Sequence, residues 1–77
     1  MVIGVTMVNT LPGNERAAYN ELTRIEGIKE IYHVFGEYDF VVIIEVADLS
    51  NLNNIVDFIR EANNVTATQT IVGAELI

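Results

Sequence analysis

The chain has 77 residues, no cysteine, one histidine and a formal net charge of −7. Disulfides, thiolate metal sites and multi-histidine metal sites are therefore excluded, and four scattered basic residues argue against direct contact with nucleic acid or an anionic membrane. A domain this small buries only about 60% of the surface of its unfolded chain. Because other means of support are missing, the composition predicts a single domain over residues 1–77 that self-associates.

The first 27 residues predict a strand followed by a helix. Residues 1–8 are apolar and rich in β-branched side chains, which is typical of a strand, and residues 9–13 carry turn chemistry. Residues 14–26 place apolar side chains at helical spacing. Gly27 suits the left-handed position that closes a helix.

Residues 30–46 predict a β-hairpin. Its strands are residues 30–35 and 40–46, and the segment between them, residues 36–39, is polar and begins with a glycine. The second of these strands is apolar at every position from 40 to 44.

The last third of the chain predicts a helix and a strand. Asp48 has the side chain of an N-cap, and residues 49–62 follow with the helical period. Asn63 and Asn64 are expected to stop this helix, because asparagine tolerates the left-handed conformation. Residues 65–72 predict the last strand, with threonines alternating on one face. The expected core face of the helix comprises Leu52, Ile55, Val56 and Ile59.

An internal echo indicates that the two halves of the chain share one architecture. A shift of 37 positions places Gly27 on Asn64, both expected helix stops, and Leu22 on Ile59, both expected core residues. Two similar βαβ halves predict the α+β class and a ferredoxin-like βαββαβ sandwich. Right-handed crossovers place both helices on one face of a four-stranded antiparallel sheet, with strands one and three central and strand two at an edge.

The two central strands are apolar on both faces. Val41 and Ile43 point away from the other apolar side chains of the third strand, and Ile3, Val5 and Met7 share one face of the first strand. Two helices cover only one face of a sheet, and a monomer rarely exposes a contiguous apolar patch of more than several hundred Å². Burying such a patch is worth several kcal/mol at roughly 25 cal/mol per Å². We therefore expect an obligate homodimer that packs sheet against sheet about a two-fold axis, as a dimeric α+β barrel.

The hairpin loop is the best candidate for a binding site. Asp39 opens an apolar strand directly after the loop and acts either as a turn cap or as a ligand for a cation. Gly36 lets the backbone approach a ligand closely, and Thr68 and Thr70 add hydroxyls, although a threonine run also suits a half-exposed strand. Together these groups suit a small zwitterion such as an amino acid. His33 lies inside a strand and is expected to be a packed side chain rather than an acid–base group.

The sequence carries no motif for catalysis or cofactor binding. It contains no Ser-His-Asp spacing, phosphate loop or dinucleotide fingerprint, so we expect no enzyme activity, no catalytic residue, no metal and no cofactor. No apolar run approaches the roughly 20 residues that span a bilayer, and the first residues lack the basic leader of a signal peptide. We expect a cytoplasmic protein without a membrane partner.

Three motifs resemble those of the effector-binding (RAM) domain of Lrp/AsnC (feast/famine) transcription regulators. VFGEYDFVV at residues 34–42 is similar to the family's Val-x-Gly-x-Tyr-Asp-apolar signature. IEGI at residues 25–28 resembles the Ile-Pro-Gly-Val turn before it, with Glu26 in place of the proline. VTATQT at residues 65–70 resembles the final-strand run Val-Thr-x-Thr-x-Thr. The resemblance covers essentially the whole chain.

The resemblance implies a βαββαβ fold whose sheet-to-sheet dimers assemble into rings such as octamers or decamers. It implies that an effector amino acid binds between dimers, at Gly36, Tyr38 and Asp39 of the loop and at Thr68 and Thr70 of the last strand. Asp39 would meet the amino group of the ligand, and the Gly36 backbone would approach it closely.

The family's regulators carry an N-terminal helix-turn-helix, whereas this sequence starts with a strand. The expectation is therefore a stand-alone module that modulates transcription through a protein partner, such as a full-length Lrp/AsnC regulator. Two other functions remain open at this point. One is a ligand-free oligomeric scaffold, and the other is a small dimeric α+β barrel enzyme of the monooxygenase or isomerase type. The enzyme would need His33 to face a pocket beside another polar group, and fold alone does not choose among the three.

Overall fold

The computed structural model describes residues 1–74, so the last three residues of the predicted 1–77 domain lie outside the described part of the chain. The order of the elements is βαββαβ, as predicted. None of the helices among residues 1–74 has the length and hydrophobicity that crossing a membrane requires. The six elements are β1 (Val2–Thr10), α1 (Glu15–Thr23), β2 (Ile28–His33), β3 (Phe40–Val46), α2 (Leu49–Glu61) and β4 (Val65–Ala74).

The four strands form one antiparallel sheet in the order β2-β3-β1-β4. The prediction that the first and third strands are central and that the second is at an edge is confirmed. β1 pairs with β3 from Val2 opposite Val46 to Val8 opposite Phe40, and β4 runs along the other side of β1. This is the ferredoxin-like α+β fold, and its registers determine which side chains share a face.

Both helices cover the same face of the sheet. Phe40, Val42 and Ile44 of β3 point toward the helices and are almost completely buried. They belong to one cluster with Val8 of β1 and with buried side chains of both helices. The predicted core face of α2 is confirmed in full, because all four of its predicted residues are buried. The buried helix residues of this cluster are Ala18 and Leu22 from α1, and Leu52, Ile55, Val56 and Ile59 from α2.

The end of α1 differs from its prediction. The helix ends at Thr23 rather than at residue 26, because the backbone tightens there: the N–H of Arg24 donates to the carbonyl of Glu21, and the N–H of Ile25 donates to the carbonyl of Leu22. Gly27 has a φ of +96°, but it lies four residues beyond the helix. The prediction that Gly27 closes α1 is therefore wrong, and the glycine instead turns the chain into β2.

The predicted Asp48 N-cap at the start of α2 is confirmed, since its side chain accepts the Asn51 N–H at 2.8 Å.

The end of α2 is held by a carboxylate from α1. No residue other than glycine has a positive φ within residues 1–74, so the prediction that asparagine adopts a left-handed conformation after α2 is wrong. Glu21 accepts the backbone N–H groups of Asn63 at 2.8 Å and Asn64 at 3.1 Å, and also the Asn64 side-chain amide. The turn into β4 thus depends on a partner more than 40 residues away.

These bonds predict how stability changes with pH. The side-chain hydrogen bond from Asn64, aided by the two backbone N–H groups, holds the pKa of Glu21 below its ordinary value of 4.5. A carboxyl with a lowered folded-state pKa contributes stability above its unfolded-state pKa and loses it as pH falls through the folded-state value. We expect Glu21→Gln to lower the free energy of unfolding by about 1 kcal/mol at pH 7. This deficit should shrink as the pH falls below 4.5 and through the lower folded-state pKa of Glu21, because the wild-type carboxyl then becomes neutral, as the glutamine is at every pH.

Urea unfolding at a series of pH values measures this difference. Glu26→Gln is the matched control, since it removes one exposed negative charge from the same end of α1 without a hydrogen bond within residues 1–74. A Glu21→Gln deficit that stays constant down to acidic pH would contradict the role assigned to this carboxylate.

Substitutions at Gly27 and Gly13 distinguish the energetic cost of backbone strain from the cost of overlap with the core. Gly27 at φ +96° and Gly13 at φ +86° share the left-handed conformation. A Cβ on Gly27 would overlap Cδ1 of the buried Ile55, whereas a Cβ on Gly13 would meet nothing within 4 Å. We expect Gly27→Ala to lower the free energy of unfolding by about 1–2 kcal/mol more than Gly13→Ala, because only the first pushes into the core. Equal losses in urea unfolding would show that the overlap is relieved at no cost.

Candidate functional site

Asp39 fixes the β2–β3 loop to the end of β1. Its Oδ2 accepts the Thr10 N–H at 2.9 Å and the Thr10 hydroxyl at 3.1 Å. Its backbone N–H donates to the Val8 carbonyl at 3.0 Å, and its carbonyl accepts the Val34 N–H at 2.9 Å. Asp39 is therefore a cap through Oδ2, one of the two roles predicted from the sequence. Its Oδ1 has no hydrogen-bond partner within residues 1–74.

The tip of the loop points into solvent. Gly36 has a φ of +121° and open space where a side chain would lie, so it can approach a ligand. Tyr38 turns to the face of the sheet without helices, where its hydroxyl donates to Oε1 of Gln69 on β4. Because Tyr38 bonds Gln69 whereas Asp39 bonds the buried Thr10, the side chains of these two neighbours diverge.

The predicted threonines lie on the helix-covered side of β4, apart from the loop. The Thr70 hydroxyl lies 3.0 Å from the hydroxyl of the buried Thr6, and Thr68 accepts Arg60 Nε at 3.4 Å. Thr68 is opposite Val8, which in turn is opposite Phe40. Two strand spacings, roughly 10 Å, therefore separate Thr68 from the start of β3. The five predicted ligand-binding residues do not form one pocket within the protomer.

Two open grooves adjoin the loop and share Glu15 and His33. The first, of about 370 Å³, reaches Gly36 and Asp39. The second, of about 410 Å³, lies between the first turns of α1 and the end of β2. Its lining residues are Gly13, Glu15, Arg16, Tyr19, His33 and Phe40.

Aromatic rings form the floor of the second groove. The Phe40 ring centroid lies 6.1 Å from that of Tyr19 and 5.0 Å from that of His33. The His33 ring contacts Phe40, but His33 is exposed rather than packed as expected, and it faces a groove beside Glu15 and Arg16. No hydrogen bond joins His33 to either of these residues in the described part of the chain.

The sequence predictions missed this groove. Glu15, Arg16 and Tyr19 were not among the predicted site residues, although one signal was available. Glu15 and Tyr19 are four residues apart, so they share one face of α1. That face meets the edge of the sheet at His33, a contact that local patterns do not reveal.

The face of the sheet opposite the helices is apolar. Val5 and Ile43 pair across β1 and β3 at its centre, and Ile71 on β4 is 55% exposed. The predicted division of the side chains of β1 and β3 between the two faces is confirmed. Near one end of this face, Lys29 forms an ion pair with Glu45 at 2.6 Å, and the hydrogen bond that Lys29 donates to this carboxylate raises the pKa of Lys29. We call this face the open face.

Comparison with known proteins gives one family for nearly the whole chain. The family model described as the Lrp/AsnC ligand binding domain matches residues 1–75. The crystal structure of a hypothetical protein from Pyrococcus horikoshii is 31% identical, with a TM-score of 0.87 over 99% of this chain and 93% of that one. A transcriptional regulator from Neisseria meningitidis, solved as a complex with L-Met, is 14% identical with a TM-score of 0.83. The match covers 99% of this chain and 51% of the regulator, and at this identity it shows the fold alone.

A segment of an enzyme is also similar. Homocitrate synthase from Sulfurisphaera tokodaii is 37% identical over 54 residues, which is 70% of this chain but 12% of the enzyme. The homocitrate synthase of Sulfolobus acidocaldarius is 39% identical over 46 residues, or 60% of this chain and 10% of the enzyme. The chain therefore spans only about a tenth of the length of these curated relatives.

Proposed function

The chain belongs to the family of the Lrp/AsnC ligand-binding domain, and we propose on that basis that it senses a small amino-acid-like effector and passes the signal to a regulatory protein partner. Membership makes it an effector-binding regulatory module. The amino-acid class of the effector, the homo-oligomer, a full-length Lrp/AsnC regulator as partner and a cytoplasmic location are our proposal.

The arrangement of Asp39 carries the proposal for the effector. Its Oδ2 is held by Thr10, so the carboxylate has a fixed direction before any ligand arrives. Its Oδ1 is left to accept an ammonium group, and Gly36 lines the same groove without a side chain to block it. Charge-assisted hydrogen bonds of this kind are stronger than neutral ones. The L-Met complex of the Neisseria meningitidis regulator, which has this fold, supports an amino acid as the ligand class.

The remaining predicted residues enter the proposal through assembly. Thr68, Thr70 and Tyr38 lie too far from Asp39, or on the other face, to bind the same small molecule within one protomer. A ligand at a junction between protomers can meet Asp39 of one copy and either Tyr38 or the two threonines of a neighbouring copy. The proposed effector site is therefore shared between copies.

The open face carries the proposal for the dimer. Val5, Ile43 and their neighbours on β1 and β3 are apolar, and no helix among residues 1–74 covers them. A second copy, packed sheet to sheet about a two-fold axis, provides an identical apolar surface. Further contacts between such dimers would build the rings that the resemblance to the family implies.

Asp39→Asn tests the effector site without breaking the cap. The asparagine oxygen can take the place of Oδ2 at Thr10, while the amide nitrogen replaces Oδ1 and repels an ammonium group. Thermal-shift screening of the wild-type chain against the amino acids identifies the ligand by the rise in melting temperature. We expect Asp39→Asn to weaken binding of that ligand by tenfold or more in calorimetry, about 1.4 kcal/mol.

Glu37→Gln is the control, since it removes a neighbouring exposed charge that makes no hydrogen bond to Thr10. Unchanged affinity in Asp39→Asn would remove Asp39 from the site. The absence of any shift with all amino acids would refute the amino-acid class of the effector.

Ile43→Lys tests the dimer, because it places a charge at the centre of the open face. Each two-fold interface would then bury two lysines, so we expect the dimer dissociation constant to rise by about 100-fold or more. Sedimentation equilibrium measures this change, and Phe58→Lys on the exposed side of α2 is the matched control. A wild-type chain that sediments with the mass of one protomer would contradict the sheet-to-sheet dimer.

The likeness to homocitrate synthases favours a second candidate partner. An identity of 37% over 54 residues links this module to a segment of a biosynthetic enzyme. In that case the module would control an enzyme rather than a transcription regulator, with the same effector site. Co-sedimentation of the chain with a full-length Lrp/AsnC regulator and, separately, with a homocitrate synthase from its own source distinguishes the two.

A further inference from the structure

We propose that Arg16 binds a carboxylate on the side chain of the effector, so that the effector is an acidic amino acid of the aspartate or glutamate class. The inference rests on the proposed function and deepens it, because the ammonium group of the effector stays at Asp39 while its side chain is assigned to the second groove. It concerns the surface of one protomer and requires no contact between copies.

Arg16 is a basic residue without an acidic partner within residues 1–74. It is exposed and lines the second groove. Each of the other three basic residues lies beside a carboxylate, and these pairs are Lys29 with Glu45, Arg60 with Asp57, and Arg24 with Glu21. A chain with eleven acidic and four basic residues offers every base a partner. The Arg16 guanidinium, which takes none in the described part of the chain, is left to bind a carboxylate from outside.

Two further polar side chains line the same groove. Tyr19 is 41% exposed and His33 is exposed, so a ligand can reach both. Their ring centroids lie 6.1 and 5.0 Å from that of Phe40, a core residue that supports one side of each ring. The Tyr19 hydroxyl and an N–H of the His33 ring, which is present in either protonation state, can each donate to a carboxylate.

The electrostatics of the second groove favour an anion locally. A guanidinium presents a planar fork of N–H groups that matches the two oxygens of a carboxylate. Arg16 lies in the first turn of α1, where the helix dipole adds positive potential. The neighbouring acid, Glu15, is turned toward the start of the helix, because its Oε1 accepts the Gly13 N–H at 3.3 Å. An anionic ligand can therefore bind here although the chain carries a net charge of −7.

The separation of Asp39 from Arg16 assigns the carboxylate to the side chain of the effector. Asp39 lines the first groove and Arg16 lines the second, and neither lines both. The ammonium and carboxylate groups that all amino acids share are attached to the same carbon atom, so they stay together in the first groove. The two grooves meet at Glu15 and His33. A side chain that passes His33 therefore carries its end group toward Arg16, and that end group must be an acid to pair with it.

Calorimetry with matched acids and amides tests this assignment. Glutamate and glutamine have nearly the same shape and differ in side-chain charge, as do aspartate and asparagine. We expect the wild type to bind at least one of the acids about tenfold more tightly than its amide, because only the acid forms a charge-assisted bond to Arg16. Arg16→Gln should bind the acid and the amide alike.

Arg24→Gln is the matched control. It removes an exposed basic side chain from the other end of α1, outside both grooves, and should keep the preference for the acid. Equal affinity of the wild type for acid and amide, or a preference that persists in Arg16→Gln, would overturn the assignment. Amino-acid binding without a preference for acids would leave the proposed function intact.

Glutarate, a dicarboxylate without an ammonium group, separates this inference from the proposed function. In two-dimensional NMR of the wild type, we expect glutarate to shift the backbone signals of Arg16 and Tyr19 in a saturable manner. Asp39→Asn should retain these shifts and Arg16→Gln should lose them. The absence of saturable shifts in the wild type would overturn the Arg16 site. A glutarate response in a chain that binds no amino acid would support the carboxylate site and count against the proposed function alone.

Discussion

The molecule is organised by one asymmetry: both faces of the central strands are apolar, and the helices cover only one of them. On the covered face, Phe40, Val42 and Ile44 join the helices in a single core. On the open face, Val5 and Ile43 contribute apolar surface that no described element of the chain shelters. A domain of this size has a small stability margin. Burying the open face against the second copy that we propose would therefore contribute much relative to that margin and would couple folding to assembly.

The acidic side chains do more than keep the chain in solution. Glu21 holds the turn between α2 and β4 through three hydrogen bonds. Asp39 holds the β2–β3 loop against Thr10, and Asp48 caps α2. Each carboxylate satisfies N–H groups that a turn or a helix start would otherwise leave unpaired. Some of the negative charge is thus a structural requirement of short connections in a chain with few other polar anchors.

Local patterns predicted the element order, the core face of α2 and the Asp48 cap, because each follows from spacing within a few residues, and the topology rules for two βαβ halves then predicted the central strands. The echo between the halves was right about Leu22 and Ile59, which are both fully buried. The echo was misleading about Gly27 and Asn64, because the turn at Gly27 depends on a positive φ whereas the turn at Asn64 is held by hydrogen bonds to Glu21 of α1. The groove beside Tyr19 was missed because its walls come from segments distant in sequence, and only the packed structure brings them together.

On the proposed function, the geometry of the candidate site links ligand binding to assembly. Tyr38 bonds Gln69 on the open face whereas Asp39 bonds the buried Thr10, and β1 lies between the loop and Thr68. A protomer alone therefore offers an amino acid one fixed carboxylate oxygen and a bare glycine, which is too little to enclose it. On the proposed function, the other contacts come from a neighbouring copy. The effector then binds the assembled form more tightly than the free protomer, and by linkage it must favour assembly to the same extent. No internal conformational switch is required for such a response, because the equilibrium between free and assembled copies serves as the two-state element.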